Sequence, residues 1–154
     1  GLITVAMKIV FVCHGNICRS AMAEFVMKDE VRRAGRENEF EISSAAVSTE
    51  QIGNDMYPPA QLKLREKGVP FTRHSAHQIT RREFDEADLV VLMDASNRRI
   101  LSRLIPGSDS STKTALLMDF TGTPRDVADP WYTGDFEATY RDVLAGCRAI
   151  LSRY

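Results

Sequence analysis

Ile9-Val10-Phe11-Val12-Cys13-His14-Gly15-Asn16-Ile17-Cys18-Arg19-Ser20 passes from an apolar run, through a short polar loop, into a helix-forming segment. That order decides the fold class. Lys8–Cys13 is short, continuously apolar and bounded by Gly15-Asn16, the pattern of a strand buried on both faces. From Ser20 to Ala34, the residues Ala23, Val26, Met27, Val31 and Ala34 share one helical face, and Gly35 ends the helix.

The same alternation continues outward. Phe40–Ala45 reads as a weaker strand, and Pro58-Pro59 opens a helix that runs to about Lys67 and stops at Gly68. Thr80-Arg81-Arg82-Glu83 is a capping box for a short helix. Leu89–Met93 is a strongly apolar strand, after which Ser96 is expected to cap a helix over Asn97–Leu104. Thr114–Met118 is the fourth strand. In the last segment Phe136, Tyr140, Val143, Leu144, Cys147, Leu151 and Tyr154 recur at helical spacing, a stripe expected to dock on the sheet. Strands separated by helices predict one three-layer α/β domain with a parallel sheet covered on both faces. Ligands of such sheets bind at the carboxyl ends of the strands, which is where Cys13 falls.

Composition narrows the function classes. The 154 residues, 44% apolar and 27% charged, fit one soluble domain, expected over 7–154 as a monomer. Residues 1–6 precede Met7 and are expected to be a tail outside the fold. A net charge of -1 supplies no electrostatic attraction to nucleic acid or to a membrane surface. No apolar run has bilayer length, and no basic region followed by an apolar one opens the chain, so the cytoplasm is the expected compartment. Three cysteines are too few for a disulfide framework and lack zinc-site spacing, so no metal and no other cofactor is expected.

The residue types supply a chemistry. A thiol at a helix N-terminus beside a cation is stabilised as thiolate, and Arg19 with the helix behind it offers both to Cys13. The same N–H groups and guanidinium bind a phosphate dianion, so one arrangement activates the attacker and holds the target. Gly15 is expected to allow torsions and a close approach that a side chain would block. Asn16 tolerates a left-handed backbone and ties the loop down with its amide, and Ser20 is placed to donate a hydrogen bond to the sulfur. The departing oxygen also needs a proton. Asp129-Pro130-Trp131-Tyr132 joins a carboxyl group to two aromatic walls suited to an aryl leaving group, making Asp129 the expected general acid and then base. Arg19 and the loop amides provide the countercharge, so the chemistry calls for no metal.

Together, the stretch Val12–Ser20 with Met22-Ala23-Glu24, the central Met93-Asp94-Ala95-Ser96-Asn97 and Asp129-Pro130-Trp131-Tyr132 resemble the low-molecular-weight protein tyrosine phosphatase family, from about Met7 to the C-terminus. The resemblance implies a four-stranded parallel sheet with helices on both sides and hydrolysis of phosphotyrosine in proteins or peptides through a cysteinyl-phosphate. By the same resemblance, Cys13 is the nucleophile, Arg19 the phosphate-binding arginine and Asp129 the acid. His14, Gly15, Asn16, Ile17, Cys18 and Ser20 then complete the phosphate loop, which holds phosphate or another oxyanion. His74 braces Asn16; Asp94, Ser96 and Asn97 support the loop from behind; Trp131 and Tyr132 form the wall beside the substrate ring. Cys18 matches a second cysteine able to trap Cys13 as a reversible disulfide. Glu50 departs from the aromatic or apolar residue common on the opposite wall, and an acidic group there would repel acidic residues flanking the target. Ala21 replaces a common proline.

Plainer roles compete for some of these positions. Cys147 is expected to be a buried hydrophobe, His77 an exposed residue, and Arg81-Arg82 a solvated helix face. Three other functions share parts of the pattern. An arsenate reductase needs relay cysteines, and none lies between Arg19 and Cys147. A protein-arginine-phosphate phosphatase is expected to carry threonine at Ile17. A redox-sensing phosphotyrosine-binding module has no use for the acid Asp129.

Overall fold

The computed structural model describes residues 5–154, so the expected tail at 1–6 lies outside the described residues up to position 4. Four strands, β1 (Met7–Cys13), β2 (Phe40–Ala46), β3 (Leu89–Leu92) and β4 (Thr114–Leu116), form one sheet in the order β2-β1-β3-β4. All three pairings are parallel, with Phe11 registered between Ser44 and Val91. β1 is therefore central, and the chain reverses its direction of sheet growth beside it. Such a switch point opens a crevice at the carboxyl end of the strand.

Six helices surround the sheet: α1 (Arg19–Arg33), α2 (Pro58–Glu66), α3 (Arg81–Glu86), α4 (Ala95–Leu104), α5 (Pro130–Thr133) and α6 (Phe136–Arg153). Alternate residues of β1 point into different layers. Ile9, Phe11 and Cys13 join Met22, Met27, Leu64 and Ile150 of α1, α2 and α6 in one cluster. Val10 and Val12 join Phe84 and Leu101 of α3 and α4 in the other. A strand packed on both sides must be apolar at every position, which is why Ile9–Val12 shows no alternation. Each such large side chain, once buried, stabilises the fold by about 1.5–3 kcal/mol relative to exposure.

Several expected boundaries shift for local reasons. β4 stops at Leu116 rather than Met118, because Leu117–Phe120 winds into a 3-10 turn and Asp119 accepts a hydrogen bond from the Leu116 N–H at 3.3 Å. Helix α4 begins at Ala95, and its cap is Asp94 rather than Ser96. The Asp94 Oδ1 accepts from the Asn97 N–H at 2.7 Å while Asn97 Oδ1 accepts from the Asp94 N–H at 3.1 Å. A carboxylate followed three residues later by an amide closes the box that a serine two residues too late cannot. The capping box at Thr80 and Glu83 forms as read.

Of the expected α6 stripe Val143 and Cys147 are buried, Phe136, Tyr140, Leu144 and Leu151 half-buried and Tyr154 exposed; Ile150, outside it, is buried too, and the helix lies against α1 and the 3-10 turn rather than directly on the sheet. Gly146 makes that seat possible, since a Cβ there would stand 2.4 Å from Leu117. No helix of the described residues is long and apolar enough to cross a membrane.

Candidate active site

Cys13 ends β1, and the chain curls through His14–Cys18 before α1 starts at Arg19. Its sulfur lies 3.0 Å from Ser20 Oγ and 3.3 Å from the Asn16 N–H. The N–H groups of Gly15, Ile17 and Cys18 donate to no protein acceptor among the described residues, so the loop presents free amides beside the first turn of a helix. That is the composition of an anion cradle. Left-handed torsion falls on Asn16, at φ 60°, the residue that the sequence reading allowed it. Gly15 is instead needed for clearance, because a Cβ there would come within 3.3 Å of the Gln51 side chain.

A buried polar network holds this shape. Both hydrogens of Asn16 Nδ2 are used, one on Ser20 Oγ at 2.9 Å and one on Ser44 Oγ at 3.0 Å. Ser20 therefore accepts from Asn16, and its own proton faces the sulfur at 3.0 Å and the Ala45 carbonyl at 3.4 Å. Ser44 in turn donates to Glu24 Oε1 at 2.6 Å. Asn16 Oδ1 accepts from the His77 N–H at 3.4 Å, so His77 contributes its backbone while its ring pairs with Glu83 on the surface. His74 Nε2 donates to the Asn16 carbonyl at 2.6 Å, bracing the strained residue as expected. Asp55 fastens His74 by accepting its N–H at 2.9 Å, and that bond holds the Asp55 carboxyl below its ordinary range. Asn16→Ala would strip three hydrogen bonds and leave a non-glycine residue in left-handed backbone. We expect it to lower unfolding free energy by about 1–3 kcal/mol in urea titrations.

Arg19 is 2% exposed, and three hydrogen bonds hold its guanidinium. Its Nη1 donates to Asp94 Oδ2 at 2.7 Å and to the Val127 carbonyl at 2.9 Å; its Nη2 reaches Asp129 Oδ2 at 3.3 Å. Burial works against its charge, but Cys13 and the carboxylates of Asp94 and Asp129 outweigh it and hold the guanidinium above its ordinary range. Asp129 caps α5, with Oδ1 accepting from the Trp131 N–H at 3.0 Å. The loop before it is tied at successive residues: Arg125 to Asp142 by two bonds of 2.7 Å, Asp126 to the Ala95 N–H, and the Val127 N–H to Met93. The carboxyl group is thus set beside the guanidinium by rigid neighbours.

One cavity brings together Cys13, His14, Gly15, Ile17, Cys18 and Arg19 from the loop with Asp129, Trp131 and Tyr132, and Glu50 and Gln51 complete its rim. Trp131 leans on Tyr57, ring centroids 4.8 Å apart, whereas Tyr132 is 85% exposed. Burial, reinforced by Cys13 and Asp129, pushes the Cys18 thiol up to about 12, so it remains protonated at neutral pH. Cys147 is remote and buried in the core. Of the expected loop supports, Asp94 and Asn97 serve, but Ser96 does not. It is exposed on α4 and makes no side-chain hydrogen bond among the described residues, because Asp94 has taken the cap. No group of three or more His, Cys, Asp or Glu side chains among the described residues is arranged to hold a metal ion.

Ser44, Asp55, Gln51 and Tyr57 escaped the sequence reading, and Glu24 entered it only within the motif Met22-Ala23-Glu24, with no role. Two of them carried a signal. Ser44 breaks the run Phe40, Ile42 on one face of β2, and Glu24 follows Ser20 by four residues on an otherwise buried part of α1.

Fold and loop together define the class: a parallel α/β protein with a cysteine at the base of an amide-lined anion cradle. The chain belongs to the low molecular weight phosphotyrosine protein phosphatase family, whose sequence model matches residues 8–153, and is accordingly a hydrolase. It is 34% identical over 146 residues to the low molecular weight protein-tyrosine-phosphatase YfkJ of Bacillus subtilis, covering 94% of this chain and 93% of that one. The crystal structure of YfkJ superposes with a TM-score of 0.91 over 97% of this chain and 94% of that one, at 32% identity. SP-PTP, a low molecular weight protein tyrosine phosphatase from Streptococcus pyogenes, gives 0.84 at 38% identity over 96% and 92%. A Drosophila arginine phosphatase, DARP, gives 0.86 at 28% identity over 96% and 98%.

Proposed function

We propose that the protein hydrolyses phosphotyrosine in proteins or peptides through a cysteinyl-phosphate, with Asp129 as general acid and then general base. The observation that carries this reading is the single cavity in which the Cys13 sulfur, the free loop amides, Arg19 and Asp129 face one another. The Cys13 thiolate attacks phosphorus in line as the amides and Arg19 stabilise the charge on the transferring phosphoryl group. Asp129, hydrogen-bonded to Arg19 at 3.3 Å, is the proton donor of this step. The proton then passes to the departing phenolic oxygen. In the second step Asp129 takes a proton from water, which displaces Cys13 from phosphorus, and the Ser20 hydroxyl steadies the leaving sulfur. Trp131 and Tyr132 offer the aryl group a wall.

The test is turnover of phosphotyrosine, phosphoserine and phosphoarginine peptides with EDTA present. Phosphotyrosine should be hydrolysed fastest and without loss to the chelator; silence on all three defeats the reading. The likeness to DARP favours a second reading, hydrolysis of phosphoarginine, and faster turnover of that peptide would establish it instead. Ile17, buried in the cradle floor, weighs for the aryl substrate because it offers a guanidino group no hydrogen bond.

We also assign Cys18 a protective role. Peroxide converts the Cys13 thiolate to a sulfenic acid, and the Cys18 thiol condenses with it to a disulfide, releasing water. Wild-type protein inactivated by peroxide should regain activity with dithiothreitol, whereas Cys18→Ser should lose most of it permanently. Equal recovery of the two proteins would exclude the role.

A further inference from the structure

His14, inside the phosphate loop, holds Glu50, on the opposite rim, at 3.0 Å between Nε2 and Oε2. Nothing in the hydrolysis above uses this pair. Glu50 Oε1 makes no hydrogen bond among the described residues, and the side chain is 65% exposed. The turn that carries it is fastened to the loop. The N–H groups of Val47 and Ser48 donate to the Cys13 and His14 carbonyls at 3.0 and 3.1 Å, and Ser48 Oγ accepts from the Glu50 N–H at 3.4 Å. On its other side the turn is closed by the Gly53 N–H on the Ala76 carbonyl at 2.8 Å. The carboxylate is therefore a fixed feature of the mouth, and a partner binding it loses little further side-chain freedom.

The charges lining the cavity are few. Arg19 is buried and committed to Asp94, Val127 and Asp129; His14 is cationic only when protonated; Glu50 and Asp129 are acidic. The mouth thus offers an outside chain no permanently charged, accessible cation, and one accessible, pre-positioned carboxylate oxygen. Residues next to a phosphotyrosine must pass over this rim when the phosphate reaches the loop.

We propose that Glu50, positioned by His14, selects phosphotyrosines flanked by lysine or arginine. It does so through a charge-assisted hydrogen bond from the flanking cation to Oε1. The proposal rests on the phosphotyrosine reading above and names its substrate class.

The experiment compares two phosphotyrosine peptides that differ only in carrying lysine or glutamate at the positions adjoining phosphotyrosine. The measure is the ratio of their kcat/KM values within each protein, with p-nitrophenyl phosphate run alongside. Within one protein the ratio cancels any general change in catalysis. Wild type should favour the lysine peptide by about fivefold at low ionic strength, the scale of an exposed ion pair set against a like-charge contact, and less at high salt. Glu50→Gln should bring the ratio close to one, and Glu50→Lys should invert it. A wild-type ratio near one, or a preference that survives Glu50→Gln, overturns the proposal while leaving the hydrolytic reading intact. If neither peptide nor p-nitrophenyl phosphate is turned over, the hydrolytic reading has failed and the proposal falls with it.

Discussion

Cys13→Ser is expected to lower kcat for p-nitrophenyl phosphate by about a thousandfold or more while inorganic phosphate still binds. A serine hydroxyl in this position would have to lose a proton far less acidic than a thiol's, and no imidazole or carboxylate lies within hydrogen-bond distance of the sulfur to take it. The loop's affinity for phosphate has a different origin. It comes from the free N–H groups of Gly15, Ile17 and Cys18 and from Arg19, none of which the substitution touches. Stopped-time assays with product detection measure the first effect, and titration calorimetry with phosphate the second. Activity within tenfold of wild type would remove Cys13 from the chemistry. Loss of phosphate binding together with activity would instead mean that the substitution had collapsed the loop.

Asp129→Asn is expected to show the next largest effect, and one that depends on the leaving group. Asparagine can still accept the Trp131 N–H and so preserve the cap of α5, but it has no proton to give. Phenyl phosphate, whose phenol leaves poorly, should be cleaved about 10²–10⁴-fold more slowly, the usual contribution of a positioned acid. p-Nitrophenyl phosphate needs less protonation on departure, so its first step should suffer less. Its second step still lacks a base toward water, and the phosphoenzyme should accumulate. Rapid-quench experiments would then register a burst of nitrophenol close to one equivalent per protein, followed by slow turnover. Equal slowing of the two substrates with no burst would exclude Asp129 as the proton carrier.

The elements nearest the loop were legible because each rested on local physics. An apolar run with no alternation can only be a strand packed on both faces, and Cys13 at its carboxyl end follows from chain order alone. Asn16 was readable as the left-handed residue, and Ser20 as the sulfur's partner, since both lie within seven residues of Cys13. Ser96 was misplaced as a cap because serine is a good cap in general; the competing box between Asp94 and Asn97 became evident only when the start of the helix was known. The α6 stripe was right at Val143 and Cys147 but missed the buried Ile150, included the exposed Tyr154 and was given the wrong partner. Which surface covers it depends on Gly146, whose missing Cβ leaves room for the Leu117 side chain.

Sequence alone determined the loop between β1 and α1, with Cys13 and Arg19 at its two ends, and the parallel sheet behind it, because local periodicity and short-range hydrogen bonding specify those features within a few residues. Only the tertiary structure decided what surrounds them. The Asn16–Ser44–Glu24 network, the two carboxylates on Arg19 and the clasp between His14 and Glu50 join residues 20 to 110 positions apart. Contacts at that range depend on how strands are ordered and helices seated, and no spacing rule along the chain encodes them.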